Sequence, residues 1–111
     1  MNRPYQQLKE ENETRLLQEI KGKKTALTAL PPRSTFEISW RCNYNCKKCG
    51  YSKLTRGPDF TARDFAEWDW DSVERLAEEL FPTTKYTEST LLGEPFLSPK
   101  FKRLMELYRK Y

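Results

Sequence analysis

A chain of 111 residues suffices for one small domain with a modest core and falls short of a complete barrel or doubly wound enzyme of common size. Hydrophobic residues at 37% and charged residues at 32% allow a buried core and exclude fibrous and membrane-embedded classes. The net charge of +4 is spread over short clusters at Lys21 to Lys24, Lys47 to Lys48 and Lys100 to Arg103, a pattern more typical of solvated faces than of a binding surface.

The N-terminal stretch "MNRPYQQLKEENE" has no apolar run to serve as a signal peptide, so the expected compartment is the cytoplasm. From Tyr5 to Lys21, the residues Tyr5, Leu8, Leu16, Leu17 and Ile20 predict an amphipathic helix, with Pro4 suited to its first turn and Gly22 to its stop. The polar gap between Lys9 and Arg15 places this helix at the periphery. Residues 1–34 therefore read as an N-terminal helix and linker, and residues 35–111 as the main unit.

Beyond Pro31-Pro32, "TFEISW" alternates Phe36, Ile38 and Trp40 with Thr35, Glu37 and Ser39 and predicts a strand that runs into "RCNYNCKKCGY". The following stretch carries a turn at Gly57-Pro58-Asp59. A helix is predicted from Asp71, which with Glu74 fits a capping box, through Val73, Leu76, Ala77 and Leu80 to Phe81-Pro82. "KYTESTLL" predicts a second short strand ending in "GEPF". A last helix follows, with Ser98 as N-cap, Pro99 in the first turn and an apolar stripe of Phe101, Leu104, Met105, Tyr108 and Tyr111. Strand, helix, strand, helix predicts an α/β fold: an N-terminal helix followed by two parallel βα units with right-handed crossovers.

The chain's three cysteines, Cys42, Cys46 and Cys49, fall within eight positions as Cys-x3-Cys-x2-Cys. An odd count in a reducing compartment disfavours a disulfide framework. Structural zinc takes four Cys or His ligands, and the chain has no histidine. A [4Fe-4S] cluster on three thiolates instead keeps one iron open to a substrate or cofactor. Arg41, Lys47 and Lys48 could offset part of the negative charge of three thiolates. Competing readings are a small zinc-binding or interaction module, with Asp59 or Glu94 completing a mixed site, and three buried, unliganded cysteines, for which this polar loop is a poor setting. Tyr44 and Trp40 stand near basic residues, but no nucleic-acid-binding signature accompanies them.

The stretch "EISWRCNYNCKKCGY", followed by "GEP" at the end of the next predicted strand, resembles the radical SAM superfamily over about residues 35 to 108. The resemblance implies the start of a partial (β/α)6 TIM-like barrel. It implies that Cys42, Cys46 and Cys49 ligate three irons of a [4Fe-4S] cluster, that S-adenosylmethionine chelates the fourth, and that Gly93, Glu94 and Pro95 contact the methionine end of that cofactor. The chemistry would be reductive cleavage to a 5′-deoxyadenosyl radical, which abstracts hydrogen from a substrate that the sequence does not identify, with a one-electron donor of flavodoxin or ferredoxin type as partner. Gly50 holds the position after the last cysteine where the family often has an aromatic residue near the adenine; Tyr51 comes next and is expected either there or in packing. Leu92 stands where the longer family motif has its first glycine. Two βα units are about a third of such a barrel, so the resemblance also implies a missing C-terminal part or a second chain that completes the sheet.

Overall fold

Helix α1 (Arg3–Lys21) opens the computed structural model, which describes residues 3–44, 46–55 and 67–111. The helix forms where expected, but the face it turns inward is not the apolar one. Tyr5, Lys9, Leu16 and the buried Asn12 and Glu19 face the rest of the chain, whereas Leu8, Leu17 and Ile20 are exposed. Hydrogen bonds explain the choice. Asn12 donates through Nδ2 to the Leu30 carbonyl at 2.8 Å and accepts from the Leu30 amide at 2.9 Å. Glu19 accepts from the Thr28 hydroxyl at 2.6 Å and from the Thr28 and Ala29 amides at 3.1 Å. These side chains fold residues 22–30 back along the helix and satisfy polar groups that burial would otherwise penalise.

The end of α1 also differs from the expected glycine stop. Lys23, with φ of 51°, is the left-handed residue. Its amide donates to Ile20 and that of Lys24 to Glu19, each at 3.0 Å, a Schellman cap that glycine fills at lower steric cost.

Strand β1 (Arg33–Thr35) pairs in parallel with β2 (Tyr86–Glu88), in the register Arg33 to Tyr86, Ser34 to Thr87 and Thr35 to Glu88. Between them stand α2 (Gly50–Thr55) and α3 (Trp70–Leu80), and after β2 come a 3-10 turn (Pro95–Leu97) and α4 (Phe101–Lys110). The expected α/β fold, with two βα units beginning a partial (β/α)6 barrel, is not what forms. The described chain is mostly helical, and its sheet has two strands of three residues each. Both strands end early for one reason. After the Phe36 amide donates to Glu88 at 2.8 Å, the chain beyond β2 turns, and its amides bond the Glu37 side chain instead of extending the ladder. The alternation of "TFEISW" breaks at the same place: Phe36 and Ile38 are buried as expected, but Ser39 is buried and Trp40 is exposed.

The helix starts move slightly. Asp69, not Asp71, caps α3, accepting from the amides of Asp71 at 3.0 Å and Ser72 at 3.3 Å. Ser98 accepts from the Lys100 amide at 3.2 Å ahead of α4 rather than at its cap. The turn expected at Gly57-Pro58-Asp59 lies outside the described residues.

Phe36 and Ile38 pack with Trp70, Val73, Ala77, Phe81, Leu104 and Tyr111 in one core. An aromatic chain runs through it. Phe81 meets Phe36 edge-on at 4.9 Å and Tyr108 at 5.1 Å, and Tyr111 meets Tyr5 of α1 at 5.2 Å. Each such pair adds about 0.5–1.5 kcal/mol to simple burial. Lys9 completes the docking of α1 by donating to the Tyr111 carbonyl at 2.8 Å. Among the described residues, no helix is long and apolar enough to cross a membrane.

Two predictions follow from α1. Replacing Lys23 by glycine removes the left-handed strain and should stabilise the chain by about 0.5–1 kcal/mol, read as a raised urea midpoint with unchanged slope. The Thr28 hydroxyl, with the Ala29 and Thr28 amides, holds the Glu19 carboxyl below its ordinary range. A depressed folded pKa contributes stability that is complete above the unfolded value, about 4.3, and is lost as pH falls through the folded value. Glu19→Gln should therefore flatten the acid limb of a stability–pH profile below about pH 5, and an identical limb would contradict this.

Candidate metal centre

The three cysteines lie on the stretch that joins the end of the core segment to α2. Cys42 and Cys49 are half-buried, Cys46 is exposed, and none is in a disulfide. The Cys49 amide donates to the Cys46 carbonyl at 3.1 Å around Lys47 and Lys48, and the Cys49 carbonyl accepts from Lys53 at 3.4 Å as α2 begins. Among the described residues, no three cysteine, aspartate or glutamate side chains are gathered into a group that could hold a metal. The thiols therefore share a loop without converging. Arg41, Lys47 and Lys48 are exposed around it.

Tyr51, on the first turn of α2, is buried and donates its hydroxyl to the carbonyl of Trp40. That bond straps α2 back to the residue two places before Cys42. Burial, and then the electrostatic influence of Glu37 and the nearby cysteines, push the phenol's pKa up, so it remains a donor through the neutral range. The hydroxyl is engaged with the protein backbone.

The "GEP" segment lies directly against the entrance to this loop. A Cβ on Gly93 would fall 2.4 Å from the Ser39 carbonyl oxygen and 3.1 Å from that of Arg41. No side chain fits there without moving backbone, so glycine is required by close approach rather than by an unusual φ. The Glu94 amide donates to the Arg41 carbonyl at 2.7 Å. The half-buried Glu94 carboxylate accepts from the Phe96 amide at 3.4 Å and caps the 3-10 turn that Pro95 opens. Thr90 closes the turn from within by donating its hydroxyl to the Gly93 carbonyl.

Of the residues singled out from sequence, Gly93 and Glu94 thus meet the backbone just before Cys42, and Tyr51 bonds Trp40 in the same segment. Asp59 lies outside the described residues. A cavity of about 220 Å³ runs beside residues 34–38, walled by Trp68, Leu76 and Leu80, but no cysteine lines it. Glu37 is the functional candidate that sequence reasoning passed over. Its Oε1 accepts from the amides of Leu91 at 3.2 Å, Leu92 at 2.6 Å and Gly93 at 2.7 Å. In sequence it is one polar residue of an alternating strand, and nothing in that pattern reveals a carboxylate that binds residues more than fifty places away.

No protein-family model matches this chain, and no curated protein or solved structure matches it either.

The two glycines flanking this site should respond oppositely to a methyl group. Gly93→Ala should destabilise the chain by about 2 kcal/mol or more, because backbone must shift. Gly50→Ala, with nothing within 4 Å of the added Cβ and a helical position to gain from, should be neutral or stabilising by up to about 1 kcal/mol. Thermal melts of both variants check the pair.

Proposed function

We propose that this chain is the cofactor-binding part of a radical SAM enzyme, with Cys42, Cys46 and Cys49 holding a [4Fe-4S] cluster and S-adenosylmethionine at its open iron beside Gly93, Glu94 and Pro95. The observation that supports this most is the bond from the Glu94 amide to the Arg41 carbonyl, together with the Gly93 contact on Ser39. The "GEP" segment lies against the backbone just before Cys42, more than fifty residues away in sequence, and this proximity supports the reading. The donor chemistry suits iron and sulfide: soft thiolates, one short of a full set.

The loop need not gather its sulfurs beforehand. A ligand set of thiols is drawn together when metal binds, and the binding energy offsets the ordering of the loop. Cys46 is exposed, and its carbonyl accepts from the Cys49 amide. When bound, the cluster and S-adenosylmethionine supply one-electron reductive cleavage of the sulfonium. The chain would contribute the half-buried Glu94 carboxylate beside the expected ammonium group. A one-electron donor of flavodoxin or ferredoxin type and a cytoplasmic setting, where thiols stay reduced, belong to the same proposal.

The test is anaerobic reconstitution with iron and sulfide, followed by EPR of the dithionite-reduced chain. The wild type should take up a cluster whose signal changes on addition of S-adenosylmethionine, and Cys42→Ala, Cys46→Ala and Cys49→Ala should each lose it. A wild type that takes up zinc tightly and no cluster would replace this reading with the small binding module.

A further inference from the structure

The strongest unassigned feature of the molecule is the carboxylate of Glu37, and we infer that Glu37 is a positioning residue for the cofactor contact: it clamps the Leu91–Glu94 turn against the segment that leads into Cys42. This inference rests on the function proposed above and extends it to a residue outside both motifs.

Three consecutive amides converge on a single oxygen, Oε1. Successive backbone N–H groups form a concavity that suits an anion, and such a nest is normally filled by a ligand. Here the chain fills it with its own side chain. Hydrogen bonds to an ionised acceptor are about twice as strong as neutral ones, so the clamp adds a strong tie to a turn that Thr90 closes from within and the Arg41 carbonyl holds at Glu94. Leu91 and Phe96 are largely exposed and Leu92 is 46% exposed, so polar bonds carry much of the hold on this turn.

The grip is two-sided. Glu37 takes the turn's amides, and two residues further along the same segment Ser39, Trp40 and Arg41 take its Gly93 face and its Glu94 amide. Phe36 and Ile38, on either side of Glu37, are buried in the core, so the carboxylate stands on a fixed base. A side chain anchored this way sets where Glu94 lies relative to Cys42. Loss of the clamp should leave the thiols able to hold a cluster while the Glu94 side of the cofactor position becomes loose.

The experiment compares wild type with Glu37→Gln, which keeps an accepting oxygen but loses the charge, and Glu37→Ala. Hydrogen exchange of the metal-free chain should show the amides of Leu91 to Gly93 opening about tenfold faster in the Gln variant and more in the Ala variant, with Val73 and Leu104 unchanged. In reconstituted protein, cluster content should match wild type, and the S-adenosylmethionine concentration for half the EPR change should rise about tenfold in Gln and further in Ala. Should Glu37→Ala also lose protection at Val73 and Leu104, it has unfolded generally, and the Gln variant decides. Unchanged half-saturation in a Gln variant beside a responsive wild type would overturn this inference alone. A wild-type cluster indifferent to S-adenosylmethionine would overturn the proposed function and this inference with it.

Discussion

Everything near the cysteines depends on the close approach of two backbone segments, residues 39–41 and 93–94, which only the absence of a Cβ at Gly93 permits. On one side of that contact stands Glu37, drawing three amides onto one oxygen; on the other, the Arg41 carbonyl takes the Glu94 amide. These are polar interactions, and they decide the fold locally because the alternative, a longer parallel ladder, would need the same amides. One carboxylate thus replaces several ladder bonds. A short sheet results, along with a turn whose position is set by side-chain chemistry.

The hydrophobic core holds this junction without entering it. Phe36 and Ile38 reach into the cluster formed by α3 and α4, where Val73, Ala77 and Leu104 are fully buried, and the Phe81 ring packs the strand end against Tyr108 and Tyr111. Buried side chains of this size contribute about 1.5–3 kcal/mol each, enough to fix the segment that carries Glu37. Among the described residues, the cysteine loop beyond Trp40 puts no side chain into this core; it is tied by the Tyr51 strap, the Cys46 to Cys49 turn and the start of α2.

Much of this was legible in the residues, and the failures have identifiable causes. The helices over 3–21 and 70–80 follow from periodicity and punctuation, and Val73, Ala77 and Leu104 are core residues because helical spacing demands it. The strands were overestimated because alternation in "TFEISW" reports which side chains are buried, and Phe36 and Ile38 are, but it cannot report whether a neighbouring strand remains alongside. The inward face of α1 was misread because Asn12 and Glu19 are bought into the interior by hydrogen bonds to residues 28–30 that no hydropathy pattern contains. The cysteines and "GEP" stood out by motif. The approach of "GEP" to residues 39–41, and the part Glu37 has in it, depends on contacts across more than fifty residues.

The central claim is that the three thiols and the Gly93 to Pro95 turn form one site with a single iron open to S-adenosylmethionine. Mössbauer spectroscopy of chain reconstituted with ⁵⁷Fe tests it most directly. The account predicts a [4Fe-4S] spectrum in which one iron changes its parameters when S-adenosylmethionine is added while the other irons keep theirs. Irons that all remain alike on addition, or a chain that retains no iron under conditions where it is folded, would contradict it.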